Sequence, residues 1–185
     1  MIIYFHGFGS VGDTPKSFKL KEKFGADNVI APDLPIDPIE VIKLVDDIVN
    51  NLTNCNDIVF VGTSLGGFYA NYFSKKYRLN CVLINPSTNP SLTLKRKLGL
   101  NTNYATKKTF EVKQEYIDSW REMEEEVLNT DNSLVHLFLA KNDEVLNYHA
   151  ALNMFFDSHE IKITDNGGHR YDMHWDKVIE VISEL

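Results

Sequence analysis

Asp57-Ile58-Val59-Phe60-Val61-Gly62-Thr63-Ser64-Leu65-Gly66-Gly67 reads as a strand, a tight turn and the first turn of a helix. Ile58 to Val61 are β-branched or aromatic without a break, the composition of a strand buried on both faces. Gly62-Thr63-Ser64-Leu65-Gly66 fits the G-x-S-x-G pattern of a nucleophile elbow. In that turn the serine takes a strained backbone conformation. Strand and helix approach so closely that only glycine fits two residues before and two after it. The hydroxyl then stands clear of the fold, above the amide of Leu65 and a helix N-terminus. The pentapeptide alone is a weak signal, because a glycine-rich turn with an ordinary serine has the same letters. The strand before it, and Phe68 to Phe73 continuing as a helix after it, favour the elbow.

Working outward, Ile2 to Phe5 is a short apolar strand, followed by the loop His6-Gly7-Phe8-Gly9-Ser10. A helix is expected over Lys16 to Phe24 and a strand over Val29 to Ala31, stopped by Pro32 and Pro35. Asp37 to Leu52 carries a full helix signature: Asp37 as cap, Pro38 in the first turn, and Glu40 to complete a capping box. Ile42, Val45, Ile48, Val49 and Leu52 recur on its apolar stripe, and Asn54 to Asn56 breaks the pattern. Beyond the elbow, Cys81 to Ile84 is a strand stopped by Asn85-Pro86. Leu134 to Ala140 is a fifth strand, Leu146 to Phe156 a helix, Glu160 to Thr164 a sixth strand nearer the sheet edge, and Trp175 to Leu185 a closing helix.

Residues 87–130 differ in character. They show no strand signal and hold a basic half (Lys95, Arg96, Lys97, Lys107, Lys108) followed by an acidic, helical half from Glu111 to Glu126. The plain reading of those charges is a solvated helix face. The sharper reading is a cap-like insertion over a site.

Six strands separated by helices imply one α/β domain over residues 1–185, with a mostly parallel six-stranded sheet and helices on both faces. Functional groups gather past the carboxyl ends of such strands. Ser64, Asp143 and His169 each fall there, after the third, fifth and sixth strands.

Composition narrows the partners. A chain of 185 residues suits a single domain that buries roughly 70% of its unfolded surface. A net charge of −7 argues against nucleic acid or an anionic membrane as the main partner. The apolar runs are strand-sized, so no membrane span is expected. The N-terminus lacks a basic region and a cleavage site, and Cys55 and Cys81 have no metal-type spacing. A cytoplasmic, reduced setting follows, with Cys81 as a buried thiol and the chain a monomer or small homo-oligomer.

Ser64, Asp143 and His169 form the order Ser, Asp, His. A serine hydroxyl needs a base to take its proton, histidine can serve near neutral pH, and a carboxylate behind it fixes the tautomer. The oxyanion amides would come from Leu65 and from Phe8 in the first loop. His6 reads as a brace for that loop rather than a base. His136 lies within a strand, and His149, His159 and His174 have no partner signal. His169 and His174 lack a third ligand, so no metal and no cofactor are called for. Glu144 competes with Asp143 as the acid. Asp143 is preferred because it lies closer to the strand end and loses less side-chain entropy, which leaves Glu144 at the start of the next helix.

Together, His6-Gly7-Phe8-Gly9-Ser10, the elbow, Asn85-Pro86, Asp143 and Gly167-Gly168-His169 resemble the small bacterial α/β-hydrolase esterases of the YqiA/YcfP type. The resemblance spans nearly the whole chain and implies the compact α/β-hydrolase fold. It also implies hydrolysis of carboxylic esters with short-to-medium acyl chains, with Asp143 as the acid. Within the same chemistry a thioester is the alternative substrate, with the basic half of residues 87–130 facing an anionic carrier; a catalytically silent binding module is the alternative of another class, and the intact triad argues against it. The small-molecule ester or thioester is the one partner expected.

Overall fold

The computed structural model describes residues 1–52, 57–128 and 130–185. Cys55 and the break expected at Asn54 to Asn56 lie outside the described residues.

The chain runs β1 (Ile2–Phe5), α1 (Pro15–Phe24), β2 (Val29–Ile30), α2 (Pro38–Asn50), β3 (Val59–Thr63), α3 (Leu65–Tyr77), β4 (Cys81–Ile84) and α4 (Pro90–Thr93). It continues with β5 (Gly99–Thr102), β6 (Thr109–Val112), α5 (Gln114–Val127), β7 (Val135–Ala140), α6 (Tyr148–Met154), β8 (Glu160–Thr164) and α7 (Trp175–Glu184). Six strands form one parallel sheet in the order β2-β1-β3-β4-β7-β8. This is the expected architecture, with β8 at an edge.

Alternation along the strands builds two cores. Ile3, Phe5, Phe60, Leu83, Leu137 and Leu139 point to one face, where they pack with side chains of α2, α3, α5 and α6. Ile2, Tyr4, Val59, Val61, Val82, Ile84, Phe138 and Ala140 point to the other, against α1 and α7. Because side chains on a strand alternate with period two, the unbroken apolar runs are what two covered faces require. Cys81 is fully buried, and desolvation pushes its thiol pKa up to about 12.

The order reverses between β1 and β3. From β1 the chain moves outward to β2, and from β3 it moves the other way through β4 to β8. A crevice opens past the strand ends at such a switch, so the loop after β1 and the turn after β3 share one site.

Two local expectations need correction. Glu40 does not close a box on Asp37. Asp37 caps α2 through the Ile39 N–H at 2.9 Å, while Glu40 pairs with Lys43 at 2.7 Å. The reciprocal box lies instead at α1, between Thr14 and Ser17. Residues 87–130 also contain strands: β5 and β6 form an antiparallel hairpin, Gly99 opposite Val112 and Thr102 opposite Thr109. Its first strand is half solvated, so few apolar residues mark it. The acidic half is helical as expected: α5 turns Glu115, Asp118, Glu122 and Glu125 to solvent, the plain reading of those charges, and buries Ile117, Trp120, Met123 and Val127 in the core. The Trp120 indole N–H donates to the Tyr69 hydroxyl of α3 at 2.8 Å. α5 is thus part of the helical layer that joins β4 to β7.

Candidate active site

β3 delivers Ser64 to the top of the sheet, and α3 begins at the next residue. Ser64 has φ 56° and ψ −122°, a conformation that costs a non-glycine residue about 1–3 kcal/mol and persists only when its surroundings enforce it. They do so by close contact. A Cβ at Gly62 would stand 2.0 Å from the Gly66 carbonyl oxygen, and one at Gly66 would stand 2.1 Å from that of Phe5. The glycines on either side of the serine therefore let β1, β3 and α3 meet. The Ser64 carbonyl accepts the N–H groups of Gly67, Phe68 and, from the segment after β4, Ser87.

β7 ends at Ala140, and Asp143 follows in the loop. Its side chain is only 2% exposed and meets His169 Nδ1 with both oxygens, at 3.0 and 2.8 Å. Asp143 Oδ1 also accepts the N–H groups of Val145 and Leu146 at 2.8 and 2.9 Å, so the carboxylate is fixed by its own loop. Burial alone would raise the Asp143 pKa. The bonds from His169 and from the Leu146 and Val145 amides outweigh it and hold the carboxyl below its usual value. Asp143 is therefore an anion that accepts from Nδ1, which selects the tautomer whose lone pair is on Nε2 whenever the ring is neutral.

The backbone around His169 is held as firmly as its ring. Asn142 Oδ1 accepts the Gly168 N–H at 2.9 Å, and Glu144 Oε2 accepts the His169 N–H at 2.9 Å. Asn85, at the end of β4, donates its amide to the carbonyls of Gly168 and His169 at 2.9 and 3.1 Å. Its Oδ1 accepts the Ala140 N–H at 2.9 Å. Glu144 thus grips the His169 loop and does not sit at a helix start. α6 begins later, capped by Asn147. The roles of Asn85, Asn142 and Glu144 were not legible in the sequence. The one available signal was an asparagine directly after the β4 strand.

Ser64 and His169 line one cavity of about 650 Å³, with Phe8 and Leu65 also in its wall. Leu65 is the first residue of α3, so its N–H has no partner within the helix. The loop carrying Phe8 is braced by His6. His6 Nδ1 donates to the Gly7 carbonyl at 2.8 Å, and its Nε2 accepts the Leu34 N–H at 3.0 Å. That pairing fits only a neutral ring, in keeping with the expected bracing role, and burial lowers its pKa. The hairpin closes over the same loop. Tyr104 N–H donates to the Gly9 carbonyl at 2.7 Å, Asn103 Nδ2 to that of Ser10 at 2.7 Å, and Phe110 packs edge-on against Phe8 with ring centroids 5.5 Å apart.

The other histidines lie apart from this pair. The His136 and His159 rings lie with centroids 4.8 Å apart at an angle of 44°, and His174 Nε2 contacts the Asn166 carbonyl at 2.8 Å. Among the described residues, no group of three His, Cys, Asp or Glu side chains is placed to hold a metal ion, and no helix is long and apolar enough to cross a membrane.

Comparison with known proteins agrees with this architecture. Residues 1–183 match the Uncharacterised protein family (UPF0227), the YqiA/YcfP-like family, and the chain belongs to it. Among solved structures, a monoacylglycerol lipase from Paleococcus ferrophilus is similar at 14% identity, with a TM-score of 0.74 over 99% of this chain and 93% of that one. Est1E from Butyrivibrio proteoclasticus, solved with ferulic acid, gives 16% identity and a TM-score of 0.71 over 99% and 86% of the two chains. Mouse alpha/beta hydrolase domain-containing protein 10 gives 15% and 0.71 over 100% and 90%. The fold is that of the α/β hydrolases.

Proposed function

We propose that this member of the UPF0227 family is a serine hydrolase that cleaves carboxylic esters of short-to-medium acyl chains through an acyl-enzyme. The observation that carries the reading is the Asp143–His169 pair, 2.8 Å apart, opening on the same cavity as the strained Ser64. The esterase and lipase folds it resembles support the same chemistry.

In this reading Ser64 Oγ attacks the ester carbonyl carbon while His169 Nε2 takes its proton. The carbonyl electron pair moves to oxygen, where the Phe8 and Leu65 amides receive the negative charge. Collapse breaks the bond to the leaving oxygen, which takes the proton from His169 and departs as the alcohol. Water then attacks the acyl carbonyl and gives a proton to His169. The second collapse returns that proton to Ser64 and frees the acid. Asp143 holds the ring and stabilises the imidazolium at each stage.

The same reading makes the stretch from α4 through the β5–β6 hairpin a cap over the entrance and the element that selects the acyl group. Its contacts with Gly9, Ser10 and Phe8 support this. Hydrolysis of p-nitrophenyl butyrate tests the function. The expected result is turnover with a burst of p-nitrophenolate matching the enzyme concentration, lost in Ser64→Ala. No turnover of any simple ester by the folded protein would favour a binding module.

A further inference from the structure

The cavity carries a charge pattern opposite to that of the chain. The protein has a net charge of −7, yet four cationic residues line this cavity, Lys16, Arg96, Lys97 and Arg170, against one acidic residue, Asp13. The remaining charges do not cancel the excess. Asp13 is matched by Lys21 at 2.8 Å. Asp172 pairs with both Lys16 and Arg170. Arg96 and Lys97 have no ion-pair partner among the described residues.

These two cations are not on a loose tail. They belong to a 3-10 turn, Lys95–Lys97, that follows the buried Leu94. The Lys97 N–H donates to the Leu94 carbonyl at 2.8 Å, and Asn101 Nδ2 of β5 donates to the Lys97 carbonyl at 2.6 Å. The turn is thus closed by its own bond and tied at its C-terminal end to β5. A guanidinium offers a planar fork to a carboxylate or phosphate, and an ammonium adds a point charge. Cations gathered at a cleft in low-dielectric walls raise the local concentration of anions even when the whole protein is acidic.

We propose that Arg96 and Lys97 form an anion subsite of this cavity, and that the substrate is an ester or thioester bearing a carboxylate or phosphate away from the scissile carbonyl. The inference rests on the serine hydrolase reading of the site. It adds the charge of the substrate, which that reading leaves open.

Matched substrates test it. On the acyl side, mono-p-nitrophenyl glutarate is compared with p-nitrophenyl butyrate. On the leaving side, the butyryl ester of glycerol phosphate is compared with that of glycerol. At low salt, kcat/KM should favour the anionic member of at least one pair by about tenfold, the size of one charge-assisted hydrogen bond. The favoured pair identifies which side of the substrate carries the anion. The preference should shrink in 0.5 M salt and fall to near one in Arg96→Gln/Lys97→Gln. Equal turnover within both pairs, or a preference the double variant leaves intact, overturns the subsite while the hydrolase reading stands. If no ester is turned over, the hydrolase reading fails by itself. The subsite is then judged by calorimetric titration of glutarate into the Ser64→Ala protein. Binding weakened tenfold or more by the double substitution supports it, and absence of binding overturns it.

Discussion

Asn85 holds the main chain of His169 from the far side of the loop. Its amide nitrogen lies 3.1 Å from the His169 carbonyl and 2.9 Å from that of Gly168, while its oxygen takes the Ala140 N–H at 2.9 Å. One buried side chain therefore ties β4, β7 and the histidine loop together. Asn85 also has φ 41°, which asparagine tolerates better than most residues. Asn85→Asp keeps the shape but turns two donated bonds into repulsions against carbonyl oxygens. It should destabilise the fold by about 1–3 kcal/mol, the cost of leaving a buried polar group unpaired. It should also lower kcat more than it raises KM, since the ring is displaced rather than the cavity. Urea unfolding and steady-state kinetics read the two effects. Unchanged kcat would separate Asn85 from the histidine.

Asp143 and Glu144 both hold His169, but at different atoms. Asp143 accepts from the ring, whereas Glu144 accepts from the backbone N–H. Asp143→Asn should lower kcat by as much as about 10⁴-fold, the loss that the equivalent change causes in a serine protease. Glu144→Gln retains an acceptor oxygen and should cost little. Glu144→Ala removes it and should fall between the two. Steady-state kinetics on an aryl ester ranks the three, and any other order would contradict the assignment of the acid.

The elbow allows no side chain at Gly66. A Cβ there would meet the Phe5 carbonyl oxygen at 2.1 Å, and backbone on both sides prevents relief. Gly66→Ala should destabilise by more than about 3 kcal/mol, beyond ordinary overpacking. Thermal unfolding decides this, and a loss under about 1 kcal/mol would show that β1 and α3 can separate.

His6 gives the fold a pH dependence. Burial first of all lowers its pKa below the ordinary 6.5, and its two bonds require the neutral ring. The unfolded chain therefore binds this proton more readily than the native one. The contribution of His6 to stability is fully present above about pH 6.5 and is lost as pH falls through the lower folded value. His6→Gln should reduce the stability difference between pH 7.5 and pH 5, measured by urea unfolding. An unchanged difference would assign the acid sensitivity to other groups.

What the sequence disclosed follows from the range of each interaction. The strands, the elbow, and the placement of Asp143 and His169 at strand ends depend on local patterns. Ile58 to Val61 is unbroken because both faces of β3 are covered, and the elbow glycines mark themselves by spacing. The hairpin escapes the pattern because in β5 the apolar Leu100 takes an exposed position while Gly99 and Asn101 take the half-buried ones, which reverses the alternation that marks a half-buried strand. In α5 the charges mark the solvated face, and Ile117, Trp120, Met123 and Val127, recurring at helical spacing, mark the face the core uses. The grips of Asn85, Asn142 and Glu144 on the histidine loop join residues far apart in the chain, and one sequence carries no mark of such pairs.

The central claim is that Ser64 is an activated nucleophile. Labelling the native protein with a fluorophosphonate, followed by peptide mass mapping, measures this without knowledge of the substrate. The account predicts one adduct per chain, on Ser64, absent from Ser64→Ala and strongly slowed in Asp143→Asn. A folded protein that takes no label, or takes it at another serine, would contradict it.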